Sequence, residues 1–154
     1  MSDKVSPSAG ERLRSVLDRN RRRDPVGIYS VCSANPWVLE AAMHQALEDG
    51  SVLSIESTCN QVNQFGGYSG MTPLQFAAFA RSMADRVGFP APRILLGGDH
   101  LGPYPWRNEP CHTALEKACE LVRTSVLAGY AKIHLDASMA CSGDPPGALR
   151  FGSA

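Results

Sequence analysis

The segment Ile94–Pro103, which reads Ile-Leu-Leu-Gly-Gly-Asp-His-Leu-Gly-Pro, constrains the fold of this chain more than any other stretch. Its short apolar run is bounded by turn residues, a pattern typical of a buried strand. Strands buried on both faces occur in parallel sheets that helices cover. Asp99 and His100 then lie at the carboxyl end of the strand, where α/β folds place their chemistry. At this point the pair is equally consistent with a functional site and with a simple loop cap.

Four apolar runs alternate with helical patterns along the chain. We predict strands over residues 27–33, 51–57, 94–99 and 132–138, and helices over residues 8–22, 36–48, 72–86 and 113–129. This order predicts an α/β fold of parallel β/α units with right-handed crossovers. Either a small open sheet or half of an eight-stranded barrel fits the order. The polar residues Glu56, His134 and Asp136 favour the half-barrel, because a barrel offers them a polar interior.

The predicted helix over residues 36–48 begins with a clear signal, since Asn35-Pro36 supplies an N-cap followed by proline at the first helical position. Its apolar face is less clear. We expect the helix to bury Val38, Ala41, Ala42, Gln45 and Leu47.

Composition narrows the class of protein. A chain of 154 residues is long enough for one domain with its own core. Its formal net charge is zero, so no nucleic-acid partner is expected. We also expect no contact with membranes, since no apolar stretch approaches the length of a membrane span. Five scattered cysteines without a Cys-x-x-Cys spacing indicate reduced thiols in a cytoplasmic protein.

Several polar residues fall at the predicted strand ends or in the loops that follow them. A glutamate within a buried strand is costly unless it is paired, which makes Glu56 a candidate site residue. An imidazole can ligate zinc, and a neighbouring carboxylate can transfer a proton, a combination that suits an aldolase reaction through an enediolate. The amides after the second strand either bind a hydroxyl-rich ligand or satisfy their own backbone. The candidates are Glu56, Asp99 and Asp136 for catalysis, Asn60, Gln61, Arg107 and Ser138 for substrate binding, and His100 for metal binding.

Four blocks carry a resemblance to a known family. The segments 27–32, 60–68, 97–103 and 132–139 resemble the GatZ/KbaZ-like family over roughly residues 10–149. This resemblance implies a TIM barrel related to class II aldolases. It also implies the role of non-catalytic subunit of a class II D-tagatose-1,6-bisphosphate aldolase, in galactitol or N-acetylgalactosamine catabolism. The implied partners are a catalytic aldolase subunit, within an oligomer, and a sugar phosphate.

The resemblance also suggests roles for the acid–imidazole pair. Class II aldolases carry an Asp-His pair in which the aspartate donates a proton and the histidine binds zinc, and Asp99 and His100 match that pair. The corresponding expectation is a zinc ion in the full-length family member. Further zinc ligands in that superfamily come from later strands.

Family members have eight strand–helix units, whereas four are predicted here. We therefore expect residues 1–154 to form a single incomplete half-barrel domain, the N-terminal half of the barrel, with a non-family tail at residues 150–154. Such a truncated chain is expected to be inactive alone. Two hypotheses remain for the family: a stabilising, non-catalytic subunit, or a metal-dependent sugar-phosphate aldolase or epimerase that uses its Asp-His pair. A kinase is disfavoured, because the sequence has no Gly-x-x-x-x-Gly-Lys-Ser/Thr phosphate loop.

Overall fold

One parallel sheet, with its four strands in sequence order, organises the computed structural model, which describes residues 7–145. The strands are β1 (Ser30–Cys32), β2 (Leu53–Thr58), β3 (Ile94–Leu101) and β4 (Lys132–Leu135). The helices are α1 (Ala9–Arg21), α2 (Pro36–Asp49), α3 (Pro73–Val87) and α4 (Cys111–Leu127), and Ala91–Arg93 and Tyr104–Trp106 form short 3-10 turns. All three strand pairs are parallel, as predicted.

Local signals fix where the helices begin and end. Ser8 and Glu11 form a capping box at the start of α1, and Thr72 and Gln75 form another at α3. Asn35 Oδ1 accepts the backbone N–H of Trp37 at 2.9 Å at the start of α2. Gly50 and Gly88 then end α2 and α3 in the left-handed conformation that glycine adopts without strain. Each helix is therefore specified by residues within a few positions of its termini.

The helices cover one face of the sheet with an apolar core. Leu53 and Ile55 of β2 and Leu96 of β3 pack in one cluster with α2 and α3, whose buried members include Leu39, Met43, Phe76, Ala80 and Met83. A second cluster lies under α4 and contains Cys59, Leu101, Trp106, Ala114, Ala118, Leu121 and Cys141. Because side chains alternate along a strand, Ser54, Glu56, Gly97 and Asp99 are directed to the opposite face. We call that opposite face the inner face.

The predicted buried face of α2 was wrong for three of its residues. Val38, Ala41 and Gln45 are exposed, whereas Leu39, Met43 and Ala46 are fully buried. Residues 39, 43 and 46 recur at the spacing of one helical stripe, so the face that packs is rotated from the predicted one. Ala42 and Leu47 flank that stripe and pack partly against the core.

The observed strand limits matter for the candidate residues. β3 continues to Leu101, beyond the predicted end at residue 99. Asp99 and His100 therefore lie within the last residues of the strand. β4 ends at Leu135, so Asp136 and Ser138 follow the strand rather than belong to it.

The predicted tail at residues 150–154 lies outside the described residues. Within residues 7–145, no helix has both the length and the hydropathy needed to cross a bilayer.

Candidate functional site at the strand ends

Glu56 is the most buried charged residue of the inner face, with 2% of its surface exposed. Its Oε1 atom accepts the Ser30 hydroxyl at 2.7 Å and the Ser54 hydroxyl at 3.0 Å. Its Oε2 atom pairs with Lys132 Nζ at 2.5 Å. Ser30, Ser54, Glu56 and Lys132 are called the buried layer below, because they enclose the buried Glu56 carboxylate. Ser30 itself is exposed and Lys132 is half-buried. A carboxylate that is hydrogen-bonded and ion-paired in this way satisfies the requirement for burying a charge.

Gly97 allows the buried layer to form. In the register of the sheet, Glu56 on β2 lies beside Gly97 on β3, and Gly97 lies beside Lys132 on β4. The lysine must therefore reach across β3 to meet the glutamate. A Cβ atom at Gly97 would lie 3.0 Å from Glu56 Cγ and 3.3 Å from Lys132 Cδ. The side chains of the ion pair thus occupy the space that a side chain at position 97 would fill.

A second polar group lies on the same face, two residues further along β3 and β4 toward their carboxyl ends. Asp99 Oδ1 lies 2.9 Å from His134 Nδ1, and Asp99 Oδ2 lies 3.1 Å from His100 Nδ1. The two imidazole rings are 4.4 Å apart between centroids. Asp99, His100 and His134 are called the strand-end cluster. Unlike the buried layer it is open, since about half of each imidazole side chain is exposed.

The backbone is unusual at His100, where the ring faces that of His134. His100 has φ of 51°, a left-handed conformation that is uncommon for residues other than glycine. The pairing of β3 with β4 also shifts register between Gly98 and Leu101, which is the mark of a bulge. A Cβ atom at Gly98 would overlap the Leu101 side chain, which would have to shift to admit it. Bulges and left-handed residues of this kind gather at functional sites.

The charge state of Asp99 follows from its two imidazole partners. Partial burial opposes its ionisation, but the hydrogen bonds of His134 and His100 and the positive charges of His100 and Lys132 outweigh burial and hold the pKa of Asp99 below its usual value. Asp99 is therefore an ionised acceptor at neutral pH. As the structure stands, it is not a proton donor.

Cys32 lies near a carboxylate of each polar group. Its Sγ atom lies 3.6 Å from Gln61 Oε1, and Gln61 Oε1 also accepts the backbone N–H of Thr58 at 2.8 Å. Partial burial and the negative charges of Asp99 and Glu56 raise the pKa of the Cys32 thiol to about 11. The thiol is thus protonated at neutral pH and is not an activated nucleophile. The predicted substrate residue Gln61 uses its carbonyl to hold its own loop, one of the two alternatives left open by the sequence.

Asp136 lies beside the strand-end cluster without bonding to Asp99. Hydrogen bonds from the Ser138 hydroxyl and backbone N–H, the latter 2.8 Å from Asp136 Oδ1, lower the pKa of Asp136, and the positive charges of His100 and His134 add to this effect. The backbone of Gly102 packs against that of Asp136, since a Cβ atom at Gly102 would overlap the Asp136 carbonyl oxygen. Asp136 is thereby fixed at the edge of the cluster, with Ser138 as its immediate partner.

Two other predicted residues lie apart from the cluster. Asn60 is exposed in the loop after β2, where its carbonyl accepts the backbone N–H of Tyr68 at 2.9 Å. Arg107 is exposed after β3 and stacks its guanidinium carbon 4.3 Å from the centroid of the Tyr104 ring. The structure therefore brings together Asp99, His100 and Asp136, places Glu56 one layer below them, and gives Asn60 and Arg107 contacts of their own. The assignment of these residues to substrate binding stays a prediction.

Two residues of the site were not among the predicted ones. His134 and Lys132 lie two positions apart on β4 and are directed to the same face, which the alternation in the sequence already indicated for His134. What the sequence did not indicate was the register between β3 and β4, which places His134 against Asp99 and Lys132 across Gly97. The sequence did contain one signal for this contact. Gly97 lies on the same face as Asp99 and has no side chain, so a long side chain from a neighbouring strand can cross β3 there.

The strand-end cluster fits a divalent metal ion. One carboxylate oxygen and one nitrogen from each of two imidazoles lie within 4.8 Å of one another. Two histidines and one carboxylate match the three protein ligands of catalytic zinc sites, in which the fourth position stays open. Asp99, His100 and His134 are the residues that would hold such an ion.

Comparison with known proteins places this geometry in a family. The family model described as D-tagatose-1,6-bisphosphate aldolase subunit GatZ/KbaZ-like matches residues 13–151. Over 133 residues, the chain is 52% identical to the D-tagatose-1,6-bisphosphate aldolase subunit GatZ of Salmonella dublin and 51% identical to that of Klebsiella pneumoniae subsp. pneumoniae. Each alignment covers 86% of this chain and 31% of the relative. The chain thus spans about a third of the length of these relatives.

A solved structure shows the same arrangement of strands and helices. The crystal structure of a probable tagatose 6 phosphate kinase from Sinorhizobium meliloti 1021 matches with a TM-score of 0.76 and 52% sequence identity, covering 78% of this chain and 31% of that chain. Together with the four parallel strands, this likeness confirms the predicted fold class of β/α units arranged as half a TIM barrel.

Proposed function

Because the chain belongs to the D-tagatose-1,6-bisphosphate aldolase subunit GatZ/KbaZ-like family, we propose that it acts as the non-catalytic, stabilising subunit of a class II tagatose-bisphosphate aldolase, or as a part of that subunit. The observation that carries the proposal is 52% identity over 133 residues to relatives named as GatZ subunits. The partner that this role requires is a catalytic aldolase subunit. Galactitol or N-acetylgalactosamine catabolism is the setting that the family resemblance implies.

The state of Asp99 supports the stabilising role over an independent enzyme. A general acid must carry a proton at the working pH. Asp99 has a lowered pKa, and both of its oxygens face imidazole nitrogens, so it holds the two rings in place instead of donating a proton. The second hypothesis, a metal-dependent aldolase or epimerase, needs Asp99 to exchange these partners during the reaction.

We further propose that the strand-end cluster binds zinc and faces a sugar phosphate. Zinc supplies a Lewis acid that polarises a carbonyl oxygen. His100 and His134 would hold the ion through ring nitrogens, and Asp99 would either ligate it or orient the rings. Metal analysis checks this: His100→Ala and His134→Ala should lower the bound zinc, whereas His44→Ala, on the exposed surface of α2, should not. Equal zinc contents in all three variants would contradict the assignment.

A chimaera tests the subunit role. The 133 residues aligned in the Salmonella dublin relative are replaced by the corresponding residues of this chain, and the product is co-expressed with a catalytic tagatose-bisphosphate aldolase subunit. We expect the chimaera to prolong the half-life of aldolase activity as the unmodified relative does. No prolongation, with the chimaera folded and present, would exclude the proposed role for this sequence.

Asp99→Asn in the same chimaera separates the two hypotheses. A stabilising subunit should leave the aldolase turnover number nearly unchanged, because no substrate proton passes through Asp99. Loss of general acid–base catalysis would instead reduce turnover by about 10²–10⁴-fold. A reduction of that size would assign the chemistry to the Asp-His pair of this family.

A further inference from the structure

A second group of metal-ligating side chains lies away from the strand-end cluster. Cys111 is the first residue of α4, and Cys141 and Asp144 belong to the segment that follows β4. The two thiol sulfurs and one carboxylate oxygen lie within 4.8 Å of one another. Cys141 is buried, and Cys111 and Asp144 are half-buried. The three residues are called the thiol cluster.

Backbone contacts hold the thiol cluster in place without any ion. Pro110 and Ser142 form an isolated parallel bridge directly beside the two cysteines. The Ser142 N–H donates to the Arg107 carbonyl at 2.7 Å, and the Cys141 N–H donates to Asp144 Oδ2 at 2.7 Å. The approach of the three ligands is therefore a consequence of the fold.

We propose that Cys111, Cys141 and Asp144 form a structural site for a soft divalent cation of the zinc class. Thiolate ligands select such ions over magnesium or calcium, and three protein ligands leave one position for water. Binding exchanges the two thiol protons for one cation and releases both protons to solvent, while the carboxylate is already ionised.

Asp144 supplies the negative charge of the thiol cluster. Its carboxylate oxygen lies within 4.8 Å of both thiol sulfurs, so a divalent cation is attracted by the carboxylate and by both sulfurs. Among the described residues, no lysine, arginine or histidine forms an ion pair with Asp144, so its charge is available to a metal.

The position of the thiol cluster indicates what the ion would do. The segment between β4 and Asp144 carries Asp136 and Ser138, which border the strand-end cluster. A cation bound by Cys111 and Cys141 fastens this segment to the first turn of α4. The ion would thus have a structural role: it would hold in place the loop that borders the strand-end cluster.

Cobalt titration of the reduced, metal-free chain tests the site. We expect sulfur-to-cobalt charge-transfer absorption that rises with added cobalt to a plateau and is abolished by added zinc. Cys111→Ser and Cys141→Ser should each weaken cobalt binding at least tenfold. Cys119→Ser, which removes an exposed cysteine from the same helix, should give the same charge-transfer band as the wild type. Circular dichroism establishes that each variant keeps its helices.

Alkylation of the unmodified chain gives a second readout that needs no variant. Zinc should protect Cys111 and Cys141 from iodoacetamide while Cys119 is alkylated at the same rate with and without zinc. Absence of the charge-transfer band in the wild type, an unchanged band in either cysteine variant, protection confined to other cysteines, or a Cys111–Cys141 disulfide in place of the metal would each overturn the proposal.

Discussion

The buried layer and the strand-end cluster lie one residue pair apart on the same face of the sheet, yet they differ in how their charges are satisfied. In the buried layer, Glu56 has two hydroxyl donors and one ammonium group, and only 2% of its surface is exposed. In the strand-end cluster, Asp99 has two half-exposed imidazoles that can also bind other ligands. A satisfied, closed group stabilises the fold, whereas an open one is available for binding.

The difference shows why burial of a carboxylate does not by itself identify a reactive residue. Both Glu56 and Asp99 are acids on apolar strands, and both were predicted as site residues for that reason. The structure separates them by partner: Lys132 neutralises Glu56 across a glycine, and His100 and His134 surround Asp99 at the rim. Each of the following predictions acts on one side of this contrast.

Lys132→Met should have the largest effect. It leaves Glu56 buried without its counter-ion, and breaking a buried ion pair costs about 3–5 kcal/mol of unfolding free energy. Because 35% of the Lys132 side chain is exposed, we expect a loss at the lower end of that range. Urea denaturation of the chain measures the change. The control is Lys117→Met, which breaks the partly exposed pair with Glu109 and should cost about 1 kcal/mol or less.

A double variant sharpens the interpretation. Glu56→Gln combined with Lys132→Met removes both charges and should recover part of the stability that Lys132→Met alone loses. If Lys132→Met were no more destabilising than Lys117→Met, the buried layer would not be the support that its contacts indicate.

Gly97→Ala should have an intermediate effect. The added methyl group meets the side chains of Glu56 and Lys132 at 3.0 and 3.3 Å, and these flexible chains can shift by a few tenths of an ångström. Overpacking of this kind costs about 1–3 kcal/mol. Gly10→Ala in α1 is the matched control, because nothing lies within 4 Å of its added methyl group and alanine favours helix by up to about 1 kcal/mol. Equal urea midpoints for the two variants would contradict the role assigned to Gly97.

The sequence predicted those features that depend on neighbouring residues and missed those that depend on distant ones. The cap at Asn35 and the strand–helix alternation are local, and they were predicted correctly. The packed face of α2 was predicted wrongly, because the sheet that selects Leu39 over Val38 is built from residues far along the chain. The same applies to the candidate site: the Asp99–His100 pair is adjacent in sequence, whereas the register that brings His134 to it is set by the bulge in β3.

Lowering the pH should have the smallest of the three effects on stability. It acts on Asp99 in the strand-end cluster. The folded-state pKa of Asp99 is lowered, so its contribution to stability is fully present above its unfolded pKa of about 4 and is lost as pH falls through the folded-state value. Since its partners are half-exposed, we expect a contribution of about 1 kcal/mol or less.

Urea midpoints measured from pH 6 down to pH 3, with chelator present, should therefore fall less steeply for Asp99→Asn than for the wild type. His134→Ala removes the nearer imidazole and should flatten the profile in the same direction, whereas His44→Ala on α2 should leave it unchanged. A wild-type profile retained in both Asp99→Asn and His134→Ala would mean that the strand-end cluster adds nothing to stability, and that its imidazoles are free for a ligand without cost to the fold.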